Sequence, residues 1–421
     1  MPNMIAYSAL LVWPLITLVI FATVSLRKAI IWSLLLGYLL LPVRTAFDFP
    51  GVPALDKTSI ANLSTLIGAV MFSSRPILRL PREWWLTSLM FVYIASPMAT
   101  VIANPEPLLY GDVVLQGLTP YDALSAAAYK AIDLIPFVLG YNLLDRNEDR
   151  REVIRALVIA ALGYSVLMLV EVRLSPQLPN WIYGFFPHSF GQQMRGDGFR
   201  PVVFLGHGLL VAIFTSMAAV SAAYLAKRRQ SLFGLPPTVT LLYLVTILFL
   251  CRSFGSLVLA IGALAAIFLL RARQIAHICA IGALIVLCYP MLRGGDIVPV
   301  QTLADQVKGI SADRAASFQV RIDNENSLLE RARKRPLFGW GGYGRNRVYD
   351  DATGKDLSVT DGTWIIIIGT YGWFGYLASF GLICLPLITQ GWRKRSKNDA
   401  VGGALSLVLL VNLLDLLPNS S

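Results

Sequence analysis

The sequence predicts an all-α polytopic membrane protein, and three observations carry that expectation. Hydrophobic residues make up 56% of the 421-residue chain and charged residues only 14%, whereas about 25% of a globular domain is charged. Apolar runs close to the roughly 20 residues needed to cross a bilayer recur along most of the chain. Between them Lys and Arg gather in short clusters, the distribution that bilayer topology imposes. In a soluble protein a formal charge of +11 would point to nucleic acid. Confined to such clusters it points to membrane orientation instead, so nucleic acid is set aside and the lipid bilayer is the first partner.

About twelve candidate spans fall at 4–24, 29–43, 58–73, 84–103, 121–144, 153–174, 201–226, 236–251, 253–270, 274–291, 362–390 and 400–417. The second, third and last are the weakest. The first lacks a basic leader region and a small-residue cleavage site, so it reads as a retained span. Basic connections around Arg27, Arg79, Arg150, Arg228, Arg271 and Arg395 alternate with poorer ones. The positive-inside rule assigns the basic set to the cytoplasm and places both termini and the long 292–361 loop outside; long loops cross largely regardless of their own charge. The chain thus divides into a bundle of spans one to ten (1–291), an outer loop with an amphipathic helix (292–361), and spans eleven and twelve (362–421). Its last span ends abruptly, and a longer native tail is expected. Cys251, Cys279, Cys288 and Cys384 lie in or beside apolar segments without CxxC spacing and read as packing residues.

Polar residues inside spans are functional candidates because they are costly there. Lys130 and Asp133 are neighbours on one helical face, either as a functional pair or as a pair that holds helices together. His207 faces a substrate cavity or packs; His277 reads as packing or interfacial. Glu171 and Arg173 reach the interface. Residues 175–200 mix aromatics with Pro and Gly, which suits an irregular headgroup-level segment anchored by Trp181, Tyr183, Phe185 and Phe186, or an ordinary loop. FLCRSFGSL places Arg252 in a tight turn at the outer boundary, or as a stray charge in one long helix.

In the outer loop, Ile322, Leu328, Leu329 and Ala332 form a helical stripe, and Pro336 limits the helix to about 318–335. It is expected to lie on the membrane surface with Arg331, Arg333, Lys334 and Arg335 as a solvated edge. GWGGYGR, residues 339–345, is either a tight turn or an anion-binding concavity, and Arg345 closes it. No metal-ligand spacing, nucleophile elbow or glycosidase carboxylate pair is present, and neither metal nor cofactor is expected. What remains outside is a set of arginines, Arg200, Arg252, Arg314 and Arg321, and one carboxylate, Asp361. Arginine suits phosphate because its planar fork makes charge-assisted bidentate bonds. A carboxylate on the same face can act as a base on a hydroxyl or simply cap the next helix.

At these residues the chain resembles the O-antigen ligase and O-antigen polymerase superfamily of bacterial envelope glycosyltransferases. The resemblance covers most of the length: about twelve spans, a large loop before the penultimate span, Arg-Pro at Arg200, an Arg-small turn at Arg252, and Arg321 ahead of PLFGWG. Ligases carry His, then Asn, Ser or Gln, nine residues and GxxG; Asp361, Gly362, Gly372 and Gly375 keep that spacing with Asp for His and Gly for the amide or hydroxyl residue. The resemblance implies a C-type glycosyltransferase-like membrane fold in the bacterial inner membrane, with the loop periplasmic. It also implies metal-independent inverting transfer of glycan from undecaprenyl diphosphate. Asp361, Arg252 and Arg321 are the implied catalytic residues, and Arg200, Arg314, His207 and Arg345 the substrate-binding ones. Donor and acceptor are lipid-linked glycans of O-antigen, capsule or exopolysaccharide type, and a chain-length regulator is a further expected partner. The Asp favours polymerisation, with ligation to a lipid or protein acceptor second. A flippase or transporter is third, since neither an internal repeat nor a discontinuous helix is visible.

Overall fold

The computed structural model describes residues 1–49, 53–196, 198–295, 312–392 and 399–420, with the side chains of 312–318 outside the described set. It is mostly helical, 68%. The helices are α1 (Met4–Thr23), α2 (Leu26–Leu40), α3 (Lys57–Phe72), α4 (Trp84–Ile102), α5 (Pro120–Asp133), α6 (Ile135–Leu143), α7 (Asn147–Leu174) and α8 (Leu178–Tyr183). They continue with α9 (Gly208–Lys227), α10 (Pro237–Leu250), α11 (Phe254–Leu269), α12 (Ala272–Gly294), α13 (Ala312–Arg333), α14 (Thr363–Trp392) and α15 (Ala400–Asp415). Seven helical segments among the described residues are long and apolar enough to cross a membrane, with α5 and α6 counted as one; α10, α11 and α15 are apolar but shorter. Leu11, Phe91, Leu242, Phe249 and Leu269 stay exposed on these helices, a surface suited to lipid. The short antiparallel hairpins β1/β2 (Ala46–Phe47, Leu55–Asp56), β3/β4 (Leu108–Tyr110, Val113–Leu115) and β5/β6 (Met194–Arg195, Gly198–Phe199) fall in connections that the charge alternation predicts to be outer.

The chain gathers into two compact units. The first comprises 1–81, 131–279 and 390–415. Its centre is α9, whose Ala212, Ser216, Ala218, Ala219, Ala222 and Ala223 are buried. Such small residues let neighbouring backbones approach closely, and Ser216 donates to the Ser256 carbonyl of α11 at 3.0 Å. Glu171, expected at the interface, is instead fully buried. Its carboxylate accepts from the amides of Leu178, Val202 and Val203 at 3.0, 2.7 and 2.8 Å. These bonds hold 202–203 out of helical geometry, so α9 begins at Gly208 rather than near residue 201. Tyr183 is likewise buried, donating to Leu40 O at 2.6 Å, while Trp181 remains exposed.

The second unit comprises 82–130, 280–389 and 416–421. Its α14 is interrupted at Gly372, where the backbone leaves helical geometry at φ 64°, ψ −166°. The turn after α13 fills the interruption. Trp340 N and Gly341 N donate to the carbonyls of Gly369 and Thr370, both at 2.9 Å, while Trp373 N and Phe374 N donate to Pro336 O and Leu337 O at 2.8 and 3.2 Å. A Cβ on Gly339 would stand 2.5 Å from the Thr370 backbone, and one on Gly372 would run into Leu337. Two glycines therefore permit one contact, and the 339–341 end of GWGGYGR is a docking turn.

The amphipathic helix is α13, longer at its start than the expected 318–335. Ile322, Leu328, Leu329 and Ala332 are buried in protein, so its apolar stripe does not lie on a membrane surface. Arg331 and Arg335, expected as a solvated edge, serve the same packing. The Arg331 guanidinium stacks 3.5 Å from the Trp340 ring, and Arg335 donates to Asn104 Oδ1 at 2.8 Å and to Ala103 O. Arg333 and Lys334 remain exposed.

Candidate functional site

In the second unit one face of α13 meets the segment that enters α14. Positions 321, 324 and 325 share that face by helical spacing. Arg321 Nε lies 3.5 Å from Asp361 Oδ2, with the two side chains 40% and 41% exposed. Asn324 Oδ1 accepts from Val359 N at 2.8 Å, which fixes the approach to Asp361. One helical turn from Arg321, Glu325 pairs with Arg293 of α12 at 3.5 Å; these side chains are only 17% and 4% exposed. Arg293 also donates to Asn326 Oδ1 at 2.6 Å. The site thus carries two ion pairs, one open and one buried.

The buried carboxyl is electrostatically distinct. Burial pushes Glu325 above the ordinary Glu value; Arg293 and the Trp364 indole oppose that rise, and the charge of Asp361 adds to it. Gly362, which stands where the ligase pattern has an amide or hydroxyl residue, has a local cause. A Cβ there would meet the Leu417 carbonyl and stand 3.0 Å from the Trp364 ring. Further along the same loop, Asp356 is paired with Arg347 at 2.6 Å. Partial burial works to raise its carboxyl, but hydrogen bonds from Ser358 and Arg347 together hold it below the ordinary Asp value.

The other expected residues take varied places. Arg314 lies in α13, and its side chain is outside the described set. Arg345, expected to bind substrate, is 1% exposed and donates to the carbonyls of Trp340, Gln116 and Glu106 at 3.1, 2.7 and 3.0 Å. Those bonds make it a tie between the docking turn and the β3/β4 hairpin region, with its donors turned inward. Lys130 is buried, donating to Ser96 Oγ at 2.9 Å between the rings of Tyr371 and Tyr93, 3.8 and 4.4 Å away.

Arg200, Arg252 and His207 belong to the first unit. Arg252 does form a turn between α10 and α11, with φ 51°. Its exposed guanidinium donates to Arg195 O in the β5/β6 hairpin. Its own carbonyl accepts both Nε and Nη2 of Arg200 at 3.2 Å, and Arg200 is only 8% exposed. His207 caps α9, Nδ1 accepting from Leu209 N at 3.1 Å, with its ring edge-on to His188 at 4.8 Å. His277 Nδ1 meets the Arg273 carbonyl at 2.6 Å. Asp133 lines a cavity of about 330 Å³ with Lys57, Asn62 and Tyr38.

Sequence reasoning missed Glu325 and Arg293. Their only signal was Glu325 standing four residues after Arg321, which reads equally as an ordinary surface pair. Chemically, the second unit offers a half-exposed guanidinium for an anion, a half-exposed carboxylate beside it, and a second carboxyl held in a drier place. Among the described residues no cluster of three or more His, Cys, Asp or Glu is placed to hold a metal. Comparison of the chain with family models, curated proteins and solved structures finds no match.

Proposed function

We propose that the protein is a glycan polymerase of the bacterial inner membrane. It would join undecaprenyl-diphosphate-linked oligosaccharides of O-antigen, capsule or exopolysaccharide type on the periplasmic face, with about twelve spans and both termini outside. The observation that supports this reading best is the half-exposed Arg321–Asp361 pair at the junction of α13 and α14. Such a pair supplies what inverting transfer needs: a fixed cation for charge developing on the diphosphate leaving group and a carboxylate for the acceptor hydroxyl. The acceptor oxygen forms a bond to the anomeric carbon as the bond from that carbon to the diphosphate oxygen breaks, its electron pair leaving with the diphosphate. Asp361 orients the hydroxyl or takes its proton. Arg252, exposed in the first unit, is that unit's candidate phosphate ligand.

The experiment is replacement in cells lacking the wild-type gene. Asp361→Ala, present at normal membrane levels, is expected to give no chain lengthening on glycan gels; lengthening would remove Asp361 from the mechanism. The gene deletion itself separates polymerase from ligase. Single repeat units support polymerisation, and long chains stranded on carrier lipid support ligation. The interruption at Gly372 is the feature a transporter reading would use, but backbone groups on both sides of it are bonded to the docking turn.

A further inference from the structure

The Arg321–Asp361 pair leaves two roles open for Asp361, orienting the acceptor hydroxyl or taking its proton, and a second carboxylate bears on which it is. Three observations bear on it. Glu325 sits on the helical face that brings Arg321 to Asp361, one turn further along. It is the more buried of the two carboxylates, 17% exposed against 41%. Its partner Arg293 is held in turn by Asn326, so the pair is a fixed element of the site and not a mobile surface contact.

We propose that Glu325 is the proton acceptor of the transfer reaction, with Asp361 orienting the acceptor hydroxyl and Arg293 holding Glu325 in place. This inference rests on the glycosyltransferase reading above. The hydroxyl oxygen bonds to the anomeric carbon, the bond from that carbon to the diphosphate breaks with its electrons on the diphosphate, and the hydroxyl proton passes to the Glu325 carboxylate. After the polymer leaves, the proton returns to water. The groups facing Glu325 are Arg293 and Tyr289 from α12, Trp364 from the start of α14 and Asp361 just ahead of it. Burial and the Asp361 charge make the carboxyl a stronger base than an ordinary surface Glu. A base is most effective when its pKa approaches the working pH. Arg293 limits that gain while keeping the ionised form in the site.

The test uses the full-length protein in lipid vesicles, supplied with the lipid-linked oligosaccharide extracted from cells in which the gene is deleted. Glu325→Gln is expected to lower kcat about 100-fold or more, with KM for the lipid-linked donor within about 3-fold of wild type, since a lost base costs the chemical step and not ground-state binding. In wild type, kcat is expected to climb as pH rises through an acidic limb, because the base must be ionised. Glu325→Gln is expected to lack that limb, and Glu325→Asp to restore part of the rate with the limb displaced. Donor binding by Glu325→Gln separates a lost base from a lost fold. Wild-type kcat, or a wild-type acidic limb in a slower Glu325→Gln, overturns the proposal and leaves the polymerase reading standing. Failure of the wild-type protein to elongate the extracted donor overturns the polymerase reading, and this inference with it.

Discussion

Arginine is abundant here, and its position in the loop does not announce its task. Arg345 is sealed at 1% exposure and bonded to carbonyls, whereas Arg321 is 40% exposed beside a carboxylate. The two should separate cleanly by mutation. Arg345→Ala is expected to lower the melting temperature in detergent, because each carbonyl left unsatisfied costs about 1–3 kcal/mol. Arg321→Ala should melt within about 0.5 kcal/mol of wild type, as surface substitutions do, yet lose glycan elongation. A destabilised Arg321→Ala with elongation intact would reverse the two roles. From sequence alone both are arginines in a polar loop, and only the fold tells them apart. Asp361 was legible because it stands alone at the edge of an apolar run. Glu325 was not, because an acid in a highly charged helix carries no mark of burial.

At the scale of elements, helices were the legible part. Each of the twelve apolar stretches contains helix, and seven helical segments among the described residues are long and apolar enough to cross a membrane, where a helix satisfies its own backbone hydrogen bonds. Boundaries shifted where a distant side chain intervened, as Glu171 does ahead of α9. The interruption of α14 was hidden because Gly372 and Gly375 read as a spacing motif, whereas what matters is which backbone lies against Gly372. Gly372→Ala is expected to cost about 1–3 kcal/mol for a backbone at φ 64°, ψ −166°, a region essentially reserved for glycine, and more through its collision with Leu337. Limited proteolysis should then cut the 336–360 segment faster than in wild type. Unchanged cleavage would mean that the turn docks without the glycine contact.

For the whole molecule, the charge alternation predicts an orientation that labelling can check. Leu357 and Phe233 are 57% and 76% exposed in connections predicted to lie on opposite sides. The native cysteines are buried or half-buried, which keeps background reaction low. In intact spheroplasts a membrane-impermeant maleimide is expected to label Leu357→Cys, and to label Phe233→Cys only after permeabilisation. The reverse pattern would put the Arg321–Asp361 pair in the cytoplasm and end the periplasmic reading. The candidate residues themselves are divided, Arg200, Arg252 and His207 in one unit and Arg321, Asp361 and Glu325 in the other. The sequence hid that division, since each unit is assembled from segments far apart along the chain.

The turn that occupies the break in α14 also sets an order of manufacture. Residues 336–341 leave the ribosome before residues 363–392, so the partner of the break exists before the helix that needs it. Until the two meet, the carbonyls of Gly369 and Thr370 and the amides of Trp373 and Phe374 lack the partners they have in the finished protein. Lipid offers them no substitute. On the proposed topology, these groups gain their partners only once the loop has folded back onto α14.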